Sequence, residues 1–89
     1  MHQLRYNFLL LFMKNITIYT TPTCHFCHLA KEFFKEHNFE YKEYDVASDL
    51  EKRKEMIDKT HQMGVPVIDI DGEIVIGFDK QTLSKALGV

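Results

Sequence analysis

The sequence predicts one α/β domain of order βαβαββα, a four-stranded mixed sheet flanked by helices. Three observations carry this prediction. A β-branched and aromatic run, Ile16 to Thr20, stops at Thr21-Pro22. Apolar residues then recur at helical spacing from Phe26 to Phe34. Near the C-terminus, Asp71-Gly72 separates two short apolar runs.

Taken in order, Asn15 to Thr20 forms a first strand, because I-T-I-Y-T suits a buried extended segment and Pro22 cannot continue it. After Cys24, the residues Phe26, Leu29, Ala30, Phe33 and Phe34 fall on one face of a helix that runs to about Asn38. Tyr41 to Val46 reads as a second strand. Ser48 and Glu51 spell an S-x-x-E capping box ahead of a second helix, from about Asp49 to Thr60, which Gly64 and Pro66 close off. Val67 to Ile70 and Glu73 to Ile76 are strands joined by Asp-Gly, the sequence of a tight hairpin turn. Asp79 can cap a last helix that Leu83, Ala86 and Leu87 hold to the core and Gly88 stops. A right-handed βαβ unit followed by a hairpin and a closing helix puts helices on both faces of the sheet. That arrangement resembles the thioredoxin fold.

Composition narrows the function. With 89 residues, 45% hydrophobic and 27% charged, the chain suits one soluble folded domain. The net charge of -2 is spread over interleaved Lys, Asp and Glu, which offers no basic field for a phosphate backbone, so no nucleic-acid partner is expected. The longest apolar stretch, Phe8 to Met13, is far shorter than the roughly 20 residues of a membrane-spanning helix, and no membrane partner is expected. Met1 to Phe12 precedes a second start at Met13-Lys14. It lacks a small-residue cleavage site and reads as an upstream start or dispensable extension, leaving residues 13–89 as the domain.

Both cysteines lie within four residues, so a disulfide between them closes a tiny loop and restrains little of the unfolded chain. This is a poor staple and a good redox pair, in keeping with a reducing, cytoplasmic location where it would cycle. Cys24 falls where strand becomes helix. There, unpaired backbone N–H groups and the helix dipole favour a thiolate, which makes Cys24 the attacking nucleophile. Cys27, near one helical turn away, is the resolving thiol. His25 and His28 either add positive field near Cys24 or are solvated polar residues of the first turn.

Two rival chemistries use the same residues. C-x-x-C-H also spells a covalent haem attachment motif, with His28 as axial ligand, but a strand-to-helix junction in a βαβ unit is the wrong context. Cys24, His25, Cys27 and His28 are all potential metal ligands. Adjacent side chains on a helix diverge, however, so a metal or iron–sulfur cluster carrier would need ligands from elsewhere, such as a second subunit. No bound metal or cofactor is expected for the oxidoreductase reading.

Val65-Pro66 precedes a strand that should be central. Proline there removes a ladder donor unless it begins the strand in a special turn. A cis bond would account for it, and an ordinary trans proline ending a loop is the alternative. In the predicted architecture this loop lies beside the tip of the first helix, with Pro66 facing the cysteines.

The runs I-Y-T-T-P-T-C-H-F-C, G-V-P-V-I and G-F-D-K, at their intervals between Lys14 and Val89, resemble the glutaredoxin family. The resemblance implies a cis Pro66 facing Cys24, and Val65 pairing through its backbone to a bound peptide or glutathione. It implies a thiol-disulfide oxidoreductase that reduces protein disulfides or glutathione mixed disulfides, with glutathione as co-substrate. The glutathione site it implies comprises Phe26, Lys59, Val65, Pro66, Gly77, Phe78 and Asp79, and it is only partly intact. Phe26 replaces a tyrosine, and His25 replaces a proline. Thr21 stands where a lysine commonly supports the glutathione carboxylate, with Lys59 as the substitute. Ile76-Gly77 replaces Gly-Gly, while Asp79 matches the acidic residue that holds the amino group. Gly77-Phe78 is also similar to short redoxins that reduce ribonucleotide reductase, so thioredoxin reductase is the other expected electron donor, with disulfide-containing proteins as clients.

Overall fold

A computed structural model of the protein describes residues 14–89. The expectation for Met1 to Phe12 lies outside the described residues. Among them, four strands and three helices follow in the predicted order. Strand β1 is Ile16–Thr20, helix α1 is His25–Glu36 and strand β2 is Lys42–Asp45. Helix α2 is Leu50–Thr60, strands β3 and β4 are Val67–Ile70 and Glu73–Ile76, and helix α3 is Lys80–Leu87. The sheet order is β2-β1-β3-β4, with β1 parallel to β2 and the other two pairings antiparallel. This is the thioredoxin-like architecture.

Alternation along β1 sorts the core into two faces. Ile16 and Ile18 point to the side covered by α1 and α3, where Ala30, Phe33, Phe34, Ile68, Ile70, Val75, Leu83 and Leu87 form one apolar cluster. Tyr19 points to the opposite side, where Val46, Met56 of α2 and Val67 enclose it. The helices therefore lie on both faces, as the sequence predicts.

Local chemistry accounts for the turns. Asp71 and Gly72 both have positive φ, +50° and +94°, the geometry a two-residue hairpin needs to match strand twist. Asp69 reinforces the turn by accepting the Gly72 N–H at 2.8 Å. Asp79 caps α3 and Gly88, at φ +75°, ends it.

Helix α2 differs from the sequence reading at both ends. Its N-cap is Asp49, whose carboxylate accepts the Lys52 N–H at 3.0 Å, so the Ser48–Glu51 capping box is not formed. Asp45 is the reason. Its carboxylate accepts the Ala47 N–H and its carbonyl accepts from the Ser48 hydroxyl, which draws Ser48 into the turn after β2 and moves the cap on by one residue. At the other end the helix closes on His61, in the left-handed conformation, before Gly64 and Pro66 are reached.

Candidate active site

Strand β1 ends beneath the site, and the chain turns through Thr21, Pro22 and Thr23 into Cys24. The Cys24 N–H donates to the Thr21 carbonyl at 3.3 Å and closes that turn. Cys24 itself is extended, with φ -85° and ψ 110°, and is the N-cap of α1. Its Sγ accepts the Cys27 N–H at 3.1 Å, the bond an N-capping serine or aspartate would make. A sulfur held there sits at the positive end of the helix dipole, and no acidic side chain in the first turn opposes it. Local geometry thus favours the thiolate.

Cys24 and Cys27 are joined as a disulfide, their Cα atoms 5.2 Å apart. Burial separates their roles. Cys24 is partly exposed, whereas Cys27 is wholly buried. A partner molecule can reach the first sulfur and not the second.

The third component arrives from 41 residues away. The Val65 carbonyl lies 3.8 Å from Cys24 Sγ, and the Val65–Pro66 peptide is cis, with Pro66 buried. In the disulfide, Sγ carries no proton and this is a contact; a Cys24 thiol could donate along the same line. Strand pairing fixes the loop from behind, because the Gly77 N–H donates to the Pro66 carbonyl at 2.8 Å. Gln62 fixes it from in front: its Oε1 accepts the Gly64 N–H at 2.7 Å and its Nε2 donates to the Gly64 carbonyl at 3.2 Å. A Cβ on residue 64 would fall 2.8 Å from that Oε1, so glycine lets the Gln62 side chain fold back this closely.

The structure brings some of the sequence-predicted residues together and disperses others. Phe26 stands exposed between the cysteines, its ring edge-to-face with His25 at 5.5 Å. His28 Nε2 lies 3.3 Å from the Pro22 carbonyl and ties α1 to the turn before it. Phe78 turns inward, packing edge-to-face on Phe33 with ring centres 6.2 Å apart. Asp79 follows at the start of α3, its carboxylate accepting the Gln81 N–H at 3.1 Å and the Thr82 hydroxyl at 2.8 Å. The Thr82 bond holds its carboxyl below the ordinary range, so it is an anion at neutral pH.

Lys59 has a different occupation. Its Nζ donates to the Tyr19 hydroxyl and to Asp69 Oδ2, each at 3.0 Å, on the α2 face of the sheet. The Tyr19 bond, with the Asp69 bond beside it, raises its pKa well above the ordinary lysine value against the opposing effect of burial. Serving a ligand carboxylate beside Cys24 would require breaking both bonds.

Sequence reasoning missed Gln62 and the group around Tyr19. Gln62 belongs to no motif, and its role depends on the loop it braces. Tyr19 carried a signal, since a tyrosine in a buried strand must find a partner for its hydroxyl. As for a metal, two sulfurs supply half a tetrahedral set, and among the described residues no group of three or more His, Cys, Asp or Glu side chains gathers.

The chain is similar to known proteins in sequence and fold. The family model for glutaredoxin matches residues 16–75. An uncharacterized glutaredoxin-like 8.6 kDa protein in the rubredoxin operon of Clostridium pasteurianum is 44% identical over 72 residues, covering 81% of this chain and 96% of that one. Glutaredoxin 3 of Escherichia coli K12 is 36% identical over 67 residues, covering 75% and 81%. Among solved structures, the thioredoxin-like protein BC3987 superposes with a TM-score of 0.76 at 36% identity, covering 81% of this chain and 99% of that one.

Proposed function

The chain belongs to the glutaredoxin family, and from that premise we propose that it reduces protein disulfides and glutathione mixed disulfides, with Cys24 attacking and Cys27 resolving. The observation that carries this reading is the difference in access between two sulfurs at one helix start. Cys24 is reachable and capped by a backbone N–H, while Cys27 is buried within reach of it.

In the dithiol form, the Cys24 thiolate attacks one sulfur of the partner disulfide. The partner S–S bond breaks, a mixed disulfide forms, and the leaving thiolate takes a proton. Cys27, already close, then attacks Cys24 Sγ, closes the Cys24–Cys27 disulfide and releases the second partner thiol. Two electrons pass from the protein to its client. The Val65 backbone, beside Cys24, pairs with the extended chain of the client and aligns its sulfur for the first step.

Glutathione is the proposed co-substrate, working through the same Val65 backbone and the Asp79 carboxylate, which faces its ammonium group. Thr21, Ile76 and the engagement of Lys59 weaken its hold, so thioredoxin reductase is proposed as a second source of electrons. The pair cycles best in a reducing compartment, and the cytoplasm is proposed on that ground.

The test is trapping. Cys27→Ser, incubated with a disulfide-linked peptide, should accumulate a mixed disulfide at Cys24 that mass spectrometry locates. Cys24→Ser should reduce the peptide no faster than buffer. An adduct on Cys27 in the Cys24→Ser protein, with turnover preserved, would reverse the assignment.

A further inference from the structure

The amide of Gln62 has each of its polar groups engaged between Thr60 and Gly64. Its Oε1 accepts the Gly64 N–H at 2.7 Å, and its Nε2 donates to the Gly64 carbonyl and to the Thr60 hydroxyl, each at 3.2 Å. Thr60 is anchored in turn, its hydroxyl lying 2.7 Å from the Met56 carbonyl in the last turn of α2. The amide therefore ties the end of α2 to Gly64 across the reversal at His61, where φ is +56°. Its two bonds to Gly64 engage both peptide planes that flank this residue, as a hydrogen-bonded partner on a neighbouring strand would.

The second of those planes leads into the site. Val65–Pro66 is the one cis bond among the described residues, so the Gly64–Val65 peptide is trans. In a planar trans peptide the carbonyl and the following N–H point in opposite directions, so holding the Gly64 carbonyl sets the direction of the Val65 N–H. Val65 is also the residue whose carbonyl lies 3.8 Å from Cys24 Sγ, and beyond it the Pro66 carbonyl is held by the Gly77 N–H at 2.8 Å. Val65 is thus fixed from both sides, by Gln62 before it and by strand pairing after it.

We propose that Gln62 is a positioning residue for disulfide exchange, which aims the Val65 N–H at an incoming client by holding both polar groups of Gly64. This rests on the disulfide-exchange reading above and names the side chain that sets the backbone used in it. Gln62 acts through Val65 and not on either sulfur. Its contribution is expressed through hydrogen bonds to the client backbone, each worth up to about tenfold in affinity. It vanishes for a disulfide that has no peptide group to pair. Gly64 belongs to the same device, because a Cβ there would stand 2.8 Å from Gln62 Oε1 and push the amide off its bonds. The exchange itself is unchanged: the Cys24–partner bond forms as the partner disulfide breaks, and Cys27 completes the two-electron transfer.

The experiment mixes the full chain, reduced and freed of reductant, with either a disulfide-linked peptide dimer or bis(2-hydroxyethyl) disulfide. The second-order rate of Cys24–Cys27 oxidation is read by quenching and mass spectrometry. Gln62→Met keeps an unbranched side chain and removes the amide; it should slow the peptide reaction about tenfold and change the small-disulfide reaction by less than about twofold. Gly64→Ala, which keeps Gln62 but displaces its amide, should show the same split. The double variant should be no slower than either single one, since both changes remove one interaction. Equal losses on the two substrates give Gln62 a merely structural role and overturn the proposal, as does an unchanged peptide rate in Gln62→Met or additive losses in the double variant. Should Gln62→Met not melt cooperatively, the split in Gly64→Ala decides. If the wild-type protein reacts with neither substrate faster than Cys24→Ser does, the oxidoreductase reading itself has failed, an outcome distinct from an active protein whose variants show no split.

Discussion

The two faces of the sheet are held by different physics. Under α1 and α3 the contacts are apolar through the centre, from Ile16 and Ile18 through Phe33 and Phe34 to Leu83 and Leu87, with polar groups at the β2 edge. There, Glu43 accepts from the Thr20 hydroxyl at 2.7 Å and from Lys31 at 3.0 Å. Under α2 the buried cluster is smaller, and a string of polar groups crosses it. The Tyr19 hydroxyl donates to Glu55 at 2.6 Å and accepts from Lys59, which also bonds Asp69; Lys52 bonds Glu55 and lies 4.4 Å over the Tyr44 ring. Apolar burial is non-directional and sets stability, whereas hydrogen bonds join particular atoms and set position. Each face delivers one half of the site. The apolar face holds the cysteines through α1, and the polar face holds α2, whose C-terminal end leads through His61 and Gln62 into Val65–Pro66.

The largest effect should come from the apolar face. Phe34 is wholly buried there, and Phe34→Ala should cost roughly 3 to 5 kcal/mol, a large part of the stability of a small domain, read from urea unfolding. A loss under 1 kcal/mol would mean that packing on this face is not what holds the domain.

The polar face should respond less and in a pH-dependent way. Tyr19→Phe keeps the ring and leaves Glu55 and Lys59 each one partner short, for an expected loss of about 1 to 2 kcal/mol at neutral pH. Glu55 is held below its ordinary value of 4.5, first by the Tyr19 hydroxyl and then by Lys52, against the opposing effect of burial. A depressed carboxylate contributes stability that is present above 4.5 and lost as pH falls through its lower folded value. Tyr19, raised above 10.0 chiefly by burial, contributes stability below 10.0 that is lost as pH rises through its higher folded value. The variant should therefore have shallower acid and alkaline limbs than the wild type in melting curves across pH. Parallel limbs would show that the string is not coupled to folding.

The smallest effects separate two neighbouring residues at the entry to α2. Asp49→Ala should cost about 1 kcal/mol through loss of the bond to the Lys52 N–H, and Ser48→Ala only a few tenths. The reverse order in denaturant titrations would restore the capping box that the sequence suggests and the fold does not form.

Elements governed by neighbours along the chain were legible: the order of strands and helices, the Asp71-Gly72 turn, the Asp79 cap and the placement of Cys24 and Cys27 where strand becomes helix. Each depends on periodicity or on a bond spanning a few residues, so the residue types carry the outcome with them. The cap of α2 was misread because Asp45 competes for Ser48, a choice between two nearby partners that the pattern alone does not rank. The rest was decided by tertiary structure. The predicted architecture already sets the Val65-Pro66 loop beside the tip of the first helix, and packing fixes the 3.8 Å approach of the Val65 carbonyl to Cys24 Sγ across 41 residues. The engagement of Lys59 with Tyr19 and Asp69 crosses separations of 40 and 10. A lysine near a site in sequence pattern is free or committed according to which buried groups the packed sheet presents to it. Such commitments arise only when distant segments close on one another, because burial is what makes an unpaired hydroxyl or carboxylate costly enough to claim a partner.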